Sequence, residues 1–354
     1  MLMLMLNANG LTDRRKELEL FINTENIDVA LISETRLTPR THIKFHNYTI
    51  YRTDHPSGNS HGGTAVILKN NIKHYPLEVY KTEKIQATSI KIHHKNTEKT
   101  LTAIYCPPRP KIEADEFKLF FNKLGPVFFC GGEWNSKHTF WGSRLINPRG
   151  IQLYKATPDL NLEFISHGEP TYWPTDHNKV PDLLDFYISK NLGQNYLQIE
   201  KCEDLSSDHT PDILNIYKKA IFLKPLPKIY NKHTNLDQYR EFIRSNIDLN
   251  ISLKTNNEIE AGVEKFNSIV HMAANVSTPK NMKSKTKQKE YPRNIIAKAS
   301  ERRKIRGEWH KTRYPFDKSQ LNRATKELKD IIKEHENRCV QNHLSQLTSQ
   351  KYTY

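Results

Sequence analysis

The stretch Phe128-Phe129-Cys130-Gly131-Gly132-Glu133-Trp134-Asn135-Ser136-Lys137-His138 is an apolar run that stops at two glycines and then presents a carboxylate and a carboxamide two residues apart. Preceded by Pro126 and ended by glycines, the run reads as a buried β-strand. If the pairing persists through Asn135, the period of two puts Glu133 and Asn135 on one face, where one side chain can hold a cation or orient a water and the other can donate to a phosphate oxygen. A solvated turn accounts for Gly-Gly followed by polar residues equally well, and the stretch alone does not choose between the two.

Working outward, the same pattern of an apolar strand ending in acid, amide, Tyr or His recurs along the chain. Met1 to Leu6 runs into Asn7-Ala8-Asn9-Gly10-Leu11, and Val29 to Ser33 runs into Glu34-Thr35-Arg36. Leu101 to Ile104 runs into Tyr105-Cys106-Pro107-Pro108. Asp185 sits between Leu183-Leu184 and Phe186-Tyr187-Ile188, and Leu205-Ser206-Ser207-Asp208-His209-Thr210-Pro211 precedes Ile213-Leu214. With these residues in this order, the chain resembles the endonuclease/exonuclease/phosphatase family, and within it the endonuclease domain of jockey-like, LINE-type non-LTR retrotransposons. The resemblance covers roughly residues 1 to 217.

Composition is consistent with such a partner for nucleic acid. The 354 residues are enough for one large domain plus an extension, and 54 Lys and Arg against 39 Asp and Glu give a formal net charge of +15. A polyanion is the natural partner for that charge, although a merely soluble basic protein has it too. Cys106, Cys130, Cys202 and Cys339 form no Cys-x-x-Cys pair, which points to a reducing, intracellular setting rather than a disulfide framework. Met1 to Leu6 is too short for a signal peptide or a membrane span and reads as the first core strand, so a soluble chain with no membrane partner is expected.

The order of elements reads as follows. A helix carrying Leu18, Phe21 and Ile22, capped near Leu11-Thr12-Asp13, joins the first two strands, bringing Asn7 and Glu34 to one sheet edge. Tyr48–Tyr51, Gly63–Leu68 and Ala87–Ile92 read as strands. A helix is expected over Glu113–Leu124 and another from Asn147-Pro148 to about Ala156, with strands at Pro170–Trp173 and Leu183–Ser189. The loop Arg52–Gly62 reads as an exposed loop before it reads as a DNA contact, and His93-His94 as a turn rather than a zinc site. Past a linker over 218–235, residues 236–354 read as a helical, basic connector. It has a Lys-rich arm near Asn281–Arg293 and a long helix from Asn294 to about Leu347, broken at Pro315. The arm is either a solvated linker or a DNA contact, with Lys283, Lys285, Lys287, Arg302 and Arg303 as its DNA-facing residues. A cut near residue 220 is expected to leave the catalytic domain folded.

The chemistry of phosphodiester hydrolysis requires charge neutralisation at the phosphate, a placed water and a stabilised leaving oxygen. Mg²⁺ prefers oxygen ligands and keeps waters, so one or two carboxylates suffice, and Glu34 is the acid with no core use. The resemblance implies the rest: Glu34, Asn7 and Asp208 about the metal, Mg²⁺ with Mn²⁺ able to substitute, and no small-molecule cofactor. It also implies Tyr105 binding the phosphate, Asn135 stabilising the transition state, and His209 donating to the phosphate as an imidazolium held by Asp185. An N-cap for Asp208, a turn for Asn7 and a buried hydroxyl for Tyr105 are the structural alternatives. Trp141 and Tyr172 are candidate DNA contacts, though aromatics here are more often core. The resembling endonucleases have Gly-Gly-Asp-Phe-Asn where this chain has Gly-Gly-Glu-Trp-Asn, so Glu133 replaces the aspartate that orients the water.

The fold implied is a four-layer α/β sandwich of the DNase I-like kind followed by a mainly helical basic extension. The function implied is Mg²⁺-dependent nicking of target DNA to leave a 3′-hydroxyl primer for reverse transcription, in the nucleus after cytoplasmic synthesis, with element RNA as a further partner. The polymerase itself would belong to a longer parent polyprotein. A weakened fragment that mainly binds nucleic acid, and a small-molecule phosphatase, are the competing readings.

Overall fold

A computed structural model describes residues 1–94, 97–176, 178–193, 197–216, 234–248, 251–279 and 291–350. Two mixed sheets carry the first 216 residues. One has the order β12-β13-β1-β2-β4-β3, built from β1 (Leu2–Asn7), β2 (Val29–Ser33), β3 (Tyr48–Thr53), β4 (Thr64–Lys69), β12 (Leu197–Lys201) and β13 (Asp212–Ile216). The other has the order β10-β11-β9-β8-β7-β5, with β6 also on β7. Its strands are β5 (His74–Pro76), β6 (Tyr80–Lys81), β7 (Gln86–His94), β8 (Thr97–Tyr105), β9 (Phe128–Glu133), β10 (Leu162–Ile165) and β11 (Asp185–Lys190).

Both faces of each sheet are covered, which explains why the strands read as continuous apolar runs rather than alternating ones. In β1, Met3 and Met5 face the layer between the sheets with Leu31, Val66, Leu101 and Phe129. Leu4 and Leu6 face outward onto Leu18, Phe21 and Ile22 of α1 (Arg15–Thr24). In β9 the same alternation sends Phe128 and Cys130 out to Phe117, Phe120 and Phe121 of α2 (Ala114–Lys123) and to Leu153 of α3 (Pro148–Ala156). Gly132 is required where it stands: its φ is +152° and a Cβ would lie 2.0 Å from the Ile104 carbonyl oxygen of β8. Asn147 accepts from the Gly150 N–H with Pro148 at the first helical position, so α3 starts where its sequence indicates. Residues 170–173 make only isolated bridges at Tyr172 rather than the expected strand.

The chain divides into two compact units, and the division differs from the sequence expectation. Residues 289–354 belong with 1–223, while 224–288 form a unit of their own. The reason is packing: Tyr291, just before α6 (Arg293–Thr312), Ile295 in its first turn, and Leu328 and Ile332 of α7 (Pro315–Gln350) cover Leu20 on the outer side of α1. The helix pair is thus a further layer on the sandwich rather than part of a connector. It turns at Arg313, whose φ is +58°, just before Pro315. The second unit contains α4 (Leu236–Asn246) and α5 (Asn256–Ser277); α5 opens with a reciprocal Thr255–Glu258 capping box. No helix among the described residues is long and apolar enough to cross a membrane.

Candidate active site

The register of the strands gathers the polar strand ends. Across the second sheet Tyr105 pairs with Glu133 and Glu133 with Asp185, one row on β8, β9 and β11. Across the first, Asn7 pairs with Ser33 beside Glu34, and β13, antiparallel to β1, brings the segment before it to the same end. Since the sheets are stacked, the two rows meet.

Glu133 is buried, and both its oxygens are engaged: Asn7 Nδ2 donates to Oε2 at 2.7 Å and Asn135 Nδ2 donates to Oε1 at 2.8 Å. The strand does not persist to Asn135 as the period-of-two reading required. β9 ends at Glu133, and Asn135 turns to φ +49°, from which its amide reaches back to Glu133 and to the Cys106 carbonyl. Burial pushes the Glu133 carboxyl up to about 8, with the negative charges of Asp185 and Glu34 adding to it and His209 opposing.

His209 Nδ1 lies 2.6 Å from Asp185 Oδ2. Burial would lower the imidazole, but the charge and hydrogen bond of Asp185, with Glu133 and Asp208 behind it, raise it to about 10. The imidazolium therefore persists at neutral pH. Its Nε2 faces the Asn7 amide nitrogen at 3.5 Å, itself a donor, so the proton there is available to an incoming acceptor. Asp185 is in turn fixed by Thr171, whose hydroxyl accepts the N–H groups of Leu184 and Asp185. Tyr105 donates to Glu34 Oε1 at 2.8 Å, Arg36 donates to Glu34 Oε2 at 3.1 Å, and Asn9 donates to Asp208 Oδ1 at 2.9 Å. Burial and the Glu34 charge raise the Tyr105 phenol, so it stays a donor. Burial works against ionisation of Asp208, yet His209, Asn9 and Arg14 hold its carboxyl below the usual range.

Three expected DNA contacts are placed differently. Trp141 is a core residue: its ring stacks on Phe164 at 4.7 Å, and its Nε1–H donates to the Ser136 carbonyl. Arg302 is buried between Glu17 and Asp204, where a guanidinium needs carboxylate partners. Arg303 is half-exposed but spends its charge on Asp204 and Glu25. Tyr172, by contrast, is half-buried at the rim, with its ring 4.9 Å from that of His209. Lys283, Lys285 and Lys287 lie outside the described residues.

Two buried arginines that sequence reading missed hold the loops of the site. Arg149 donates to the carbonyls of Cys106, Pro107, Pro110 and Trp134, fixing the chain that leaves Tyr105 against the chain that leaves Glu133. Arg306 of α6 donates to the carbonyls of Asp204, Leu205, Ser207 and His209, clasping the loop that carries Asp208 and His209. Neither arginine has a periodic or motif signal, because its partners are backbone oxygens remote in sequence.

The donors around Glu34 suit a hard cation. Glu34, Asp208 and the Asn7 side-chain oxygen are all oxygen donors; the His209 imidazolium faces Asp185, Glu133 and Asp208, while Arg36 pairs with Glu34 and Arg14 acts on Asp208. Burial is the main reason that the Glu133 carboxyl is raised, and the Asp185 and Glu34 charges that add to it are what a divalent cation would offset.

Comparisons with known proteins agree with this fold. Residues 100–213 match the profile of the endonuclease-reverse transcriptase family. The chain is 31% identical over 331 residues to a probable RNA-directed DNA polymerase from transposon BS of Drosophila melanogaster, covering 93% of this chain and 36% of that protein. It is 29% identical over 305 residues to the RNA-directed DNA polymerase from mobile element jockey of Drosophila funebris, covering 86% and 33%. The chain thus spans about a third of the length of the curated relatives it matches. Among solved structures, the endonuclease domain of TRAS1, a telomere-specific non-LTR retrotransposon, aligns over 61% of this chain and 97% of its own with 23% identity and a TM-score of 0.51. The AP endonuclease LMAP from Leishmania major aligns over 61% and 87% with 12% identity and a TM-score of 0.50.

Proposed function

The chain belongs to the endonuclease/exonuclease/phosphatase family, on its jockey-like retrotransposon branch, and on that premise we propose that it is a divalent-metal-dependent endonuclease that nicks one strand of duplex DNA. The observation that carries this reading is the convergence of Asn7, Glu34, Tyr105, Glu133, Asn135, Asp185, Asp208 and His209 from two sheets into one cluster of hydrogen-bonded polar side chains. Glu34, with Asn7 and Asp208 nearby, would hold Mg²⁺ or Mn²⁺. When bound, that ion supplies charge neutralisation at the phosphate and at the leaving oxygen.

The side chains divide the remaining work. His209, kept cationic by Asp185, donates Nε2–H to a non-bridging phosphate oxygen as negative charge accumulates there. Tyr105 offers its hydroxyl to a second oxygen, and Asn135 its amide to the five-coordinate phosphorus centre. Glu133 orients the attacking water. Attack forms a new P–O bond and breaks the P–O3′ bond, leaving a 5′-phosphate and a 3′-hydroxyl, the end that a reverse transcriptase extends. Element RNA and a nuclear site of action follow from that role in the parent polyprotein.

A weaker nuclease that chiefly binds DNA is a second reading, favoured by Glu133 in place of aspartate with both oxygens already taken by Asn7 and Asn135. Supercoiled plasmid incubated with Mg²⁺ or with EDTA separates the readings. Conversion to open circle in Mg²⁺ alone, lost in His209→Ala, supports the first. Retardation of the plasmid without nicking supports the second.

A further inference from the structure

The turn between α6 and α7 stands close to Asp208 and His209 and carries two cations that rest on an aromatic ring without a carboxylate partner among the described residues. Arg313 Nη2 donates to the Pro174 carbonyl at 2.7 Å, and its guanidinium sits 4.7 Å from the Trp309 ring. Lys318 holds its ammonium 3.9 Å from the same ring. Elsewhere on α6, Arg302 and Arg303 pair with Asp204, Lys298 with Glu327 and Lys311 with Glu308. Among the described residues no carboxylate lies within ion-pair distance of Arg313 or Lys318. The one acid in the turn, Asp317, is taken by the Thr312 hydroxyl.

The turn reaches the site through 172–174. Trp173 N–H donates to the Asp208 carbonyl at 2.9 Å, Tyr172 packs on His209, and the Asp208 charge acts on Lys318. Next to the two cations, Tyr314 and Phe316 are 66% and 69% exposed. Two adjacent large aromatics open to solvent beside two cations make a mixed apolar and basic patch, the kind that marks an interaction site. A polyanion with apolar steps between its charges satisfies both features, and duplex DNA accepts apolar wedges in its minor groove.

We propose that the α6–α7 turn is a docking surface for the duplex flanking the scissile phosphate, with Arg313 and Lys318 on backbone phosphates and Tyr314 and Phe316 against the groove. This rests on the nuclease reading for its substrate, but its test does not require cleavage. Fluorescence anisotropy of a labelled duplex, titrated with the full chain in EDTA across a range of salt, reads docking alone.

The double variant Arg313→Gln/Lys318→Gln should flatten the slope of log K against log salt by about 1.8, from about 0.9 per phosphate contact, and weaken binding by roughly 10-fold or more. Tyr314→Ser/Phe316→Ser should weaken binding and leave the slope unchanged, because apolar contacts release no counterions. Lys326→Gln/Lys329→Gln removes two exposed lysines further along α7, roughly 12 and 16 Å from Lys318 at about 1.5 Å per residue, and serves as the control for net charge. An equal loss in that control, or parental slope and affinity in Arg313→Gln/Lys318→Gln with its melting temperature unchanged, overturns the proposal. Absence of plasmid nicking alongside the expected slopes overturns the nuclease reading and leaves the docking surface standing.

Discussion

Replacing Arg306 with Met should damage the enzyme more than any change of equal size on the same helix. Arg306 is 2% exposed and makes four hydrogen bonds to the carbonyls of residues 204, 205, 207 and 209. Hydrogen bonds from a charged donor contribute about 1.5–3 kcal/mol each; they are not additive, and the freed carbonyls partly rehydrate. A net loss of about 3–5 kcal/mol in unfolding free energy is therefore expected, less than the sum of the four bonds. The loop so released carries Asp208 and His209, and a displacement of about 1 Å at such groups costs on the order of 100-fold in rate. Urea unfolding gives the first quantity, and single-turnover plasmid nicking at a temperature where the variant is folded gives the second. Lys304→Met, which removes an exposed charge two residues away, should leave both near the parent. An Arg306→Met chain that unfolds and nicks like the parent would refute the clasp. So would full activity in a chain ending near residue 220, a cut that sequence reading expected to leave the catalytic domain folded.

Three further predictions concern the pocket and its surroundings. Glu133→Asp should raise the nicking rate by roughly 10-fold if carboxylate placement limits it, with little change in melting temperature; a slower variant would mean that the pocket has adapted to the longer side chain. Asp185→Asn should lower the single-turnover rate by roughly 100-fold or more while the urea midpoint holds, since His209 loses the carboxylate that keeps it cationic and oriented; a parental rate would remove Asp185 from the mechanism. Stability should decline in mild acid through His310, which burial and Arg306 push down to about 4 against the pull of Glu203. The unfolded chain takes up that proton first, so the contribution is intact above about pH 6.5 and is lost as pH falls toward 4, by up to about 3 kcal/mol. His310→Gln should flatten the urea midpoint over that window, and parallel pH profiles for the two chains would contradict it.

The sandwich was legible because its strands are covered on both faces and end in polar groups that a core would reject. Asn7, Glu34, Tyr105, Glu133, Asp185 and His209 all stand at such ends, and the register that assembles them follows from the strand pairing. The helix pair was not legible in the same way. Its basic residues look like a solvated arm because their acids, Glu17 and Asp204, lie 285 and 98 residues away from Arg302. Trp141 looked like a stacking platform because an aromatic beside a polar loop has the same sequence signature whether it turns inward or outward. Asn135 reached Glu133 not by strand alternation but through a left-handed turn, a conformation Asn tolerates and periodicity does not register.

The product end tests the central claim most directly. Plasmid nicked by the purified chain in Mg²⁺ should be extended by a template-dependent polymerase without any end treatment, since breakage of the P–O3′ bond leaves a free 3′-hydroxyl. Glu34→Ala, and EDTA with the parent chain, should leave no extendable end. Nicks that form in EDTA, that survive Glu34→Ala, or that need a phosphatase before extension would contradict the assignment of this pocket to hydrolysis at the 3′ side of the phosphate.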